Sequence, residues 1–436
     1  MSYPRRPLKI LLGTANAILK KHFKYHRLSV DKQELKKIKP PFILIYNHVG
    51  NKDHFLTGNA LLPRAANNMV ARWVKFDKSR GPMSLLAGSF FKNHFYPDAQ
   101  SILCCKKVLR RRKGIVCLSP SGVHGLDGTL NFIEYTTPKL LRLFKVPVAV
   151  CKIDGAYFYA NNYRERHLRG KIDVTTRLLF TPEEAARLSD EESYKKIWQS
   201  LDFNDFEHRQ KYGYLVEGKD LAEGMQFVLY KCLKCGEEFS INQKGDDLIC
   251  ERCGNAVTVK GDMLFHPKQE DTVYIDRLDK WNLAQKRLLR QEVLKEDFSV
   301  SDTVSLYRTD PKKKYGFYPY GRGVITLNKE GLTYKGSGGE KEVEYFYPLE
   351  TIPNVAFRLG EIIMIERDDF VYFYFFDEPR KLSKLVQAYL ELRLAFYPDF
   401  PSQKEWLLSR PNENLDIALH GKTLCKEIAA LYKKEL

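Results

Sequence analysis

The chain has 436 residues, 44% of them hydrophobic, with 71 Lys or Arg against 54 Asp or Glu and a net charge of +17. At roughly 100 to 200 residues per domain this predicts two to four folded units, and it excludes both a disulfide-stapled miniprotein and a disordered chain. The basic excess points to an anionic partner.

The basicity is concentrated at one end: the first 39 residues carry eleven Lys or Arg against Asp31 and Glu34. Within them, residues 8–21 set Leu8, Leu11, Leu12, Ala15, Ile18 and Leu19 on one side of a helix. Residues 1–40 thus read as a basic amphipathic segment suited to an anionic membrane surface, or as a terminal helix packed on its own domain. The start has the basic-then-apolar order of a signal peptide without a small-x-small cleavage site. No stretch reaches the roughly 18 uncharged apolar residues a spanning helix needs. With nine cysteines suggesting a reducing compartment, the expectation is a cytoplasmic protein peripherally associated with the membrane.

From Pro41 to about Asp205 short apolar strands alternate with helical stretches, the pattern of an α/β layered domain, here assigned to residues 1–228. The strands are FILIY (Phe42 to Tyr46), NMVAR (Asn68 to Arg72), IVCLS (Ile115 to Ser119), VPVAVCKI (Val146 to Ile153) and KIDVTTRLLF (Lys171 to Phe180). TPEEAARLSDEESYKKIWQSL reads as a capped helix pair. A cysteine module follows over 229–268, then a linking helix (Ile275 to Lys295) within 269–300. Residues 301–400 hold six or seven short strands and one helix (Pro379 to Tyr397), which suggests a small antiparallel β-barrel with a capping helix. Residues 401–436 read as a helical tail.

The local feature richest in chemistry is Asn47-His48-Val49-Gly50-Asn51-Lys52-Asp53-His54 at the end of FILIY. A five-residue offset is about 140° off one face of a regular helix, so His48 and Asp53 can meet only across a turn. If Asp53 opens the next helix beyond that turn, its carboxylate can hold one imidazole nitrogen and leave the other as a general base. A loop histidine beside a helix-capping aspartate is the plainer alternative. Downstream, Ser119-Pro120-Ser121-Gly122-Val123-His124-Gly125 follows a strand as a Gly-containing turn, and Val146 to Val150 forms another strand. No G-x-S-x-G elbow marks a covalent nucleophile.

In that order of blocks the sequence resembles the glycerolipid acyltransferases of the lysophosphatidic acid acyltransferase type. Asn47, His48 and Asp53 match their NHxxxxD block, and Val146 to Val150 their V-P-[IV] strand. The second block aligns Arg72 with the family's lysine and His94 with its arginine, with Lys92 two residues earlier. In the third, Ser121 stands for the glutamate of FPEGTRS and His124 for its arginine. The resemblance implies a fold of that family over residues 1–228 and acyl transfer from acyl-CoA or acyl carrier protein to a hydroxyl of a glycerolipid or lysophospholipid, a step in phospholipid biosynthesis. His48 and Asp53 would be catalytic. Asn47, Arg72, Lys92, His94, Ser121, Gly122, Val123 and His124 would line the substrate site, the main chain of the Ser121-Gly122-Val123 turn holding the oxyanion. Histidines in place of two arginines weaken the case for a phosphate-bearing acceptor, because imidazole is neither permanently charged nor bidentate.

Cys232-x₂-Cys235 and Cys250-x₂-Cys253 are each followed by glycine, a donor set suited to one structural zinc ion in a zinc ribbon. The segment from about 305 to 398 loosely resembles the pleckstrin-homology/GRAM superfamily. Alternatives from other classes are a non-catalytic lipid binder and a nucleic-acid-binding zinc-ribbon protein. The near-neutral charge of the ribbon argues against nucleic acid, since phosphate contacts require a basic surface.

Overall fold

The structure, a computed structural model, describes residues 4–7, 27–161, 163–165, 167–310 and 312–432; the amphipathic helix expected over residues 8–21 lies outside them. Seven strands, β1 (Leu28–Asp31), β2 (Phe42–Tyr46), β3 (Ala66–Ala71), β4 (Phe90–Lys92), β5 (Ile115–Leu118), β6 (Val148–Asp154) and β7 (Ile172–Phe180), form one sheet in the order β1-β7-β6-β2-β5-β3-β4. Neighbours are parallel except β6 and β7. Every residue of β2 is buried, which is why FILIY reads as an unbroken apolar run rather than an alternating one. The edge strands β1 and β4 have four and three residues and escaped the sequence pattern for that reason. The expected helix pair is present over Pro182–Arg187 and Asp190–Leu201, each with a reciprocal capping box, Thr181 with Glu184 and Ser189 with Glu192.

The cysteine module is a four-stranded antiparallel sheet, β8 (Ile241–Lys244), β9 (Asp247–Cys250), β10 (Ala256–Val259) and β11 (Phe265–Pro267). After β12 (Tyr274–Ile275) the linking helix runs over Leu278–Glu292 and is buried on most of its surface. It is a central tie rather than a spacer. Asn282 Nδ2 donates to Asp127 of the α/β domain at 2.8 Å, Gln285 Oε1 accepts from Lys231 N beside the first thiol pair at 2.8 Å, and Arg290 Nε reaches Glu391 at 2.9 Å.

The third unit departs from expectation. Strands β13 (Val300–Thr309), β14 (Phe317–Leu327), β15 (Gly331–Gly338), β16 (Lys341–Pro348), β17 (Ala356–Arg358), β18 (Ile362–Arg367) and β19 (Phe370–Phe376) form an open antiparallel sheet in the order β16-β15-β14-β13-β19-β18-β17, not a closed barrel. Closure would need a seam between the end strands. Strand β17 has only three residues, and much of β16 faces solvent. The helix Lys381–Phe396 follows as expected. The tail is not wholly helical: β20 (Leu419–His420) pairs with β12, and Leu424 N donates to Lys234 O at 2.8 Å, so the chain end is drawn back over the cysteine module. No helix among the described residues is long and apolar enough to cross a membrane.

Where the linking helix meets the C-terminal segment, Glu413 is buried against Lys286, Arg290 and Arg410. Burial alone would raise its pKa, but the three cations outweigh that and hold its carboxyl well below the usual carboxylate range. A lowered carboxylate contributes stability above its unfolded pKa, about 4.3, and that stability is lost as the pH falls below it. Glu413→Gln is expected to destabilise the protein by about 3 kcal/mol at neutral pH in urea unfolding, because it leaves buried cations uncompensated. It should also remove part of the acid-dependent loss seen in the parent chain.

Candidate active site

Strand β2 ends at Tyr46, and Asn47 anchors that end to β6: its Nδ2 donates to Ile153 O at 2.7 Å, and Ile153 N donates to its Oδ1 at 2.8 Å. Asn47 is therefore a splint that fixes where the next residue leaves the sheet. His48 is that residue. Four residues of turn follow, and Asp53 begins the helix Asp53–Leu61.

Across the turn His48 Nδ1 and Asp53 Oδ2 lie 2.7 Å apart. The same carboxylate accepts Val49 N at 2.7 Å and Gly50 N at 3.1 Å, and the residue is 2% exposed. Three N–H donors converging on one carboxylate leave it the acceptor, so Nδ1 carries the imidazole proton and Nε2 has the free lone pair. The His48 side chain is 23% exposed, whereas Asp53 behind it is buried.

His124 packs on it, ring centroids 3.8 Å apart and planes tilted by 48°. Burial and then the neighbouring His48 push the His124 pKa well below the ordinary value, against a hydrogen bond to the main chain of Gly50. His94 lies across the Gly122 turn, its Nε2 3.7 Å from where a Cβ on Gly122 would stand. Burial, with Lys92 and His48 close by, likewise lowers its pKa. Both rings are neutral at neutral pH. Ser121 is buried, with its Oγ 3.0 Å from that of Ser119, and Val123 is buried beside it.

The two cations suggested for the substrate site each have a partner of their own. Arg72 Nη2 donates to Asp369 O at 2.7 Å, in the turn between β18 and β19. Lys92 Nζ pairs with Glu134 at 3.5 Å. That turn brings Glu366, a buried acid on β18, to the same region. Local sequence pattern held no sign of it, since it lies in another sheet almost three hundred residues further on.

His48, Asp53 and His124 have ligand atoms within 4.8 Å of one another. They make a poor cation site, because the Asp53 oxygens are already engaged by three N–H groups and a metal would have to break the His48 contact. A cavity of about 90 Å³ lies apart from the pair, lined by residues such as Asp127, Asn282, Arg290, Glu391 and Glu413.

The four thiols of the cysteine module do converge: Cys232 and Cys253 Sγ are 3.8 Å apart, and Cys235 and Cys250 Sγ 3.9 Å. A tetrahedron with zinc–sulfur bonds of about 2.3 Å has edges of about 3.8 Å, so the donor set fits zinc. Gly236 N donates to Cys232 O and Gly254 N to Cys250 O, both at 2.9 Å. Both glycines have positive φ (81° and 71°), the conformation a tight thiolate turn needs. With four protein ligands and no open position, a zinc ion here would hold the fold. Metal analysis of the purified protein is expected to find one zinc per chain, and Cys235→Ser to lose most of it; a metal-free parent chain would refute the assignment.

No family model matches the chain, and no curated protein matches its sequence. Among solved structures, the crystal structure of the 1-acyl-sn-glycerophosphate (LPA) acyltransferase PlsC from Thermotoga maritima is similar at 18% identity and a TM-score of 0.35, over 44% of this chain and 76% of that one.

Proposed function

We propose that the protein is an acyltransferase that moves a fatty acyl group from an acyl thioester, acyl-CoA or acyl carrier protein, to a hydroxyl of a glycerolipid or lysophospholipid in phospholipid biosynthesis. The observation that carries this reading is the 2.7 Å contact between His48 Nδ1 and Asp53 Oδ2 at the end of β2. It fixes the tautomer and turns Nε2 into a base beside a glycine-containing turn.

His48 Nε2 takes the proton of the acceptor hydroxyl as its oxygen attacks the thioester carbonyl. The charge that develops on the carbonyl oxygen falls to main-chain N–H groups of the Ser121-Gly122-Val123 turn. Asp53 stabilises the imidazolium, as a buried carboxylate beside a cation does. When the carbon–sulfur bond breaks, the imidazolium returns its proton to the thiolate, leaving an ester and a free thiol. An already activated donor needs no more than a base and an oxyanion cradle, each worth roughly 10² to 10⁴ in rate. The basic residues among the first 39 are the part suited to an anionic bilayer in which such acceptors reside.

His48→Ala is expected to abolish thiol release from an acyl thioester while the thermal midpoint stays close to that of the parent. Asp53→Asn should lower turnover about 10²- to 10⁴-fold, since the amide can hold the wrong tautomer. Unchanged turnover in His48→Ala would remove the histidine from the mechanism.

A further inference from the structure

Glu366 lies at the end of β18, two residues before the Asp368-Asp369 turn, and only 5% of it is exposed. The turn is pinned to the α/β domain by Arg72 at one point, and the start of β14 by Gly316 N donating to Phe76 O at 2.7 Å at another. The second sheet is thus seated over the flank of the site that contains Lys92 and His94. Around the Glu366 carboxyl stand the main-chain amide of His94 and the charges of Arg72, Lys92 and Asp98, with Tyr96 alongside and Arg367 and Asp368 on its own hairpin.

Neither carboxyl oxygen makes a well-formed hydrogen bond among the described residues, although both are sealed from solvent; the same is true of His94 Nδ1. Buried polar atoms are almost always hydrogen-bonded, and a set left without partners calls for an account. Here the two residues come from two domains, and the main-chain amide of His94 stands at the Glu366 carboxyl on one flank of the candidate active site.

We propose that this flank binds the acceptor through an uncharged polyol headgroup, with Glu366 and His94 exchanging hydrogen bonds with its hydroxyls, and that a phosphate headgroup is refused there. This rests on the acyltransferase reading and names its substrate class. The cations at this flank have partners of their own: Arg72 donates to the Asp369 carbonyl, Lys92 pairs with Glu134 and Arg367 with Asp368. His94 and His124 are neutral. Burial outweighs the His94 main-chain amide and the nearby Arg72 and Lys92 and pushes the Glu366 pKa up to about 8, so near neutral pH the group is a carboxylic acid with one O–H to give and one C=O to accept. A neutral acid and a neutral imidazole suit hydroxyls; a phosphate would meet a single strong donor and, once the acid ionised, a like charge.

The test measures thiol release by the full chain from acyl-CoA, with monoacylglycerol or lysophosphatidate as acceptor in mixed micelles, from about pH 6 to about pH 10. In parallel, binding of each lipid to His48→Ala is measured by calorimetry. Monoacylglycerol is expected to be used at least about tenfold better in kcat/KM, with turnover falling as the pH rises through about 8 and Glu366 ionises. Glu366→Ala should lower kcat/KM about tenfold. Glu366→Gln, which keeps shape and hydrogen bonding but cannot ionise, should lower it severalfold near neutral pH and abolish the alkaline fall, a change that a purely structural role would not produce.

Preference for lysophosphatidate, or an unchanged alkaline fall in Glu366→Gln, overturns the proposal while leaving acyl transfer standing. If no acceptor releases thiol, yet His48→Ala binds monoacylglycerol and addition of Glu366→Ala weakens that binding about tenfold, the acyltransferase reading fails and the polyol site stands. Absence of both turnover and binding overturns both.

Discussion

The carboxylate of Asp53 is the constraint from which the candidate site follows. Buried at the start of a helix, it is held by the amides of Val49 and Gly50, and these contacts fold the turn after β2 into one shape. The imidazole of His48 is then the remaining donor within its reach. Without the carboxylate the turn would lose three hydrogen bonds and the ring its orientation, so the local fold and the placement of the imidazole depend on the same group. Asn47 completes the arrangement from behind by clamping the end of β2 to β6.

The second constraint is electrostatic and comes from packing. Replacing a permanently charged guanidinium by an imidazole matters little in water near the imidazole pKa, but a great deal when burial sets the protonation state. His94 and His124 are both pushed towards the neutral form. Of the arginines nearby, Arg72 tethers the second sheet and Arg367 lies beside Asp368. The two imidazoles therefore add no positive charge to the candidate site, although the chain as a whole carries +17. Net charge describes how a protein meets a surface, not what its pocket holds.

The appendages belong to the same structure. The helix Leu278–Glu292 touches the α/β domain through Asn282, the cysteine module through Gln285 and the C-terminal helix through Arg290. Lys384 of that helix pairs with Glu238 beside the thiols and with Glu292 on the linking helix, both at 2.9 Å. The cysteine module is thus joined both to the linking helix and to the helix Lys381–Phe396.

By itself the sequence determined the features whose partners are near one another along the chain: the buried strand β2, the His48–Asp53 pair across one turn, the two capping boxes and the two thiolate turns with their glycines. Their energetics are local, so residue type and spacing carry the signal. Only the tertiary structure decided that the last large sheet is open rather than a barrel, that the linking helix is buried, and that Arg72 serves Asp369, 297 residues away. It also decided the burial that keeps His94 neutral and Glu366 protonated. A residue's type states which charges it can carry; desolvation by elements distant in the chain selects among them, and no local pattern encodes that neighbourhood.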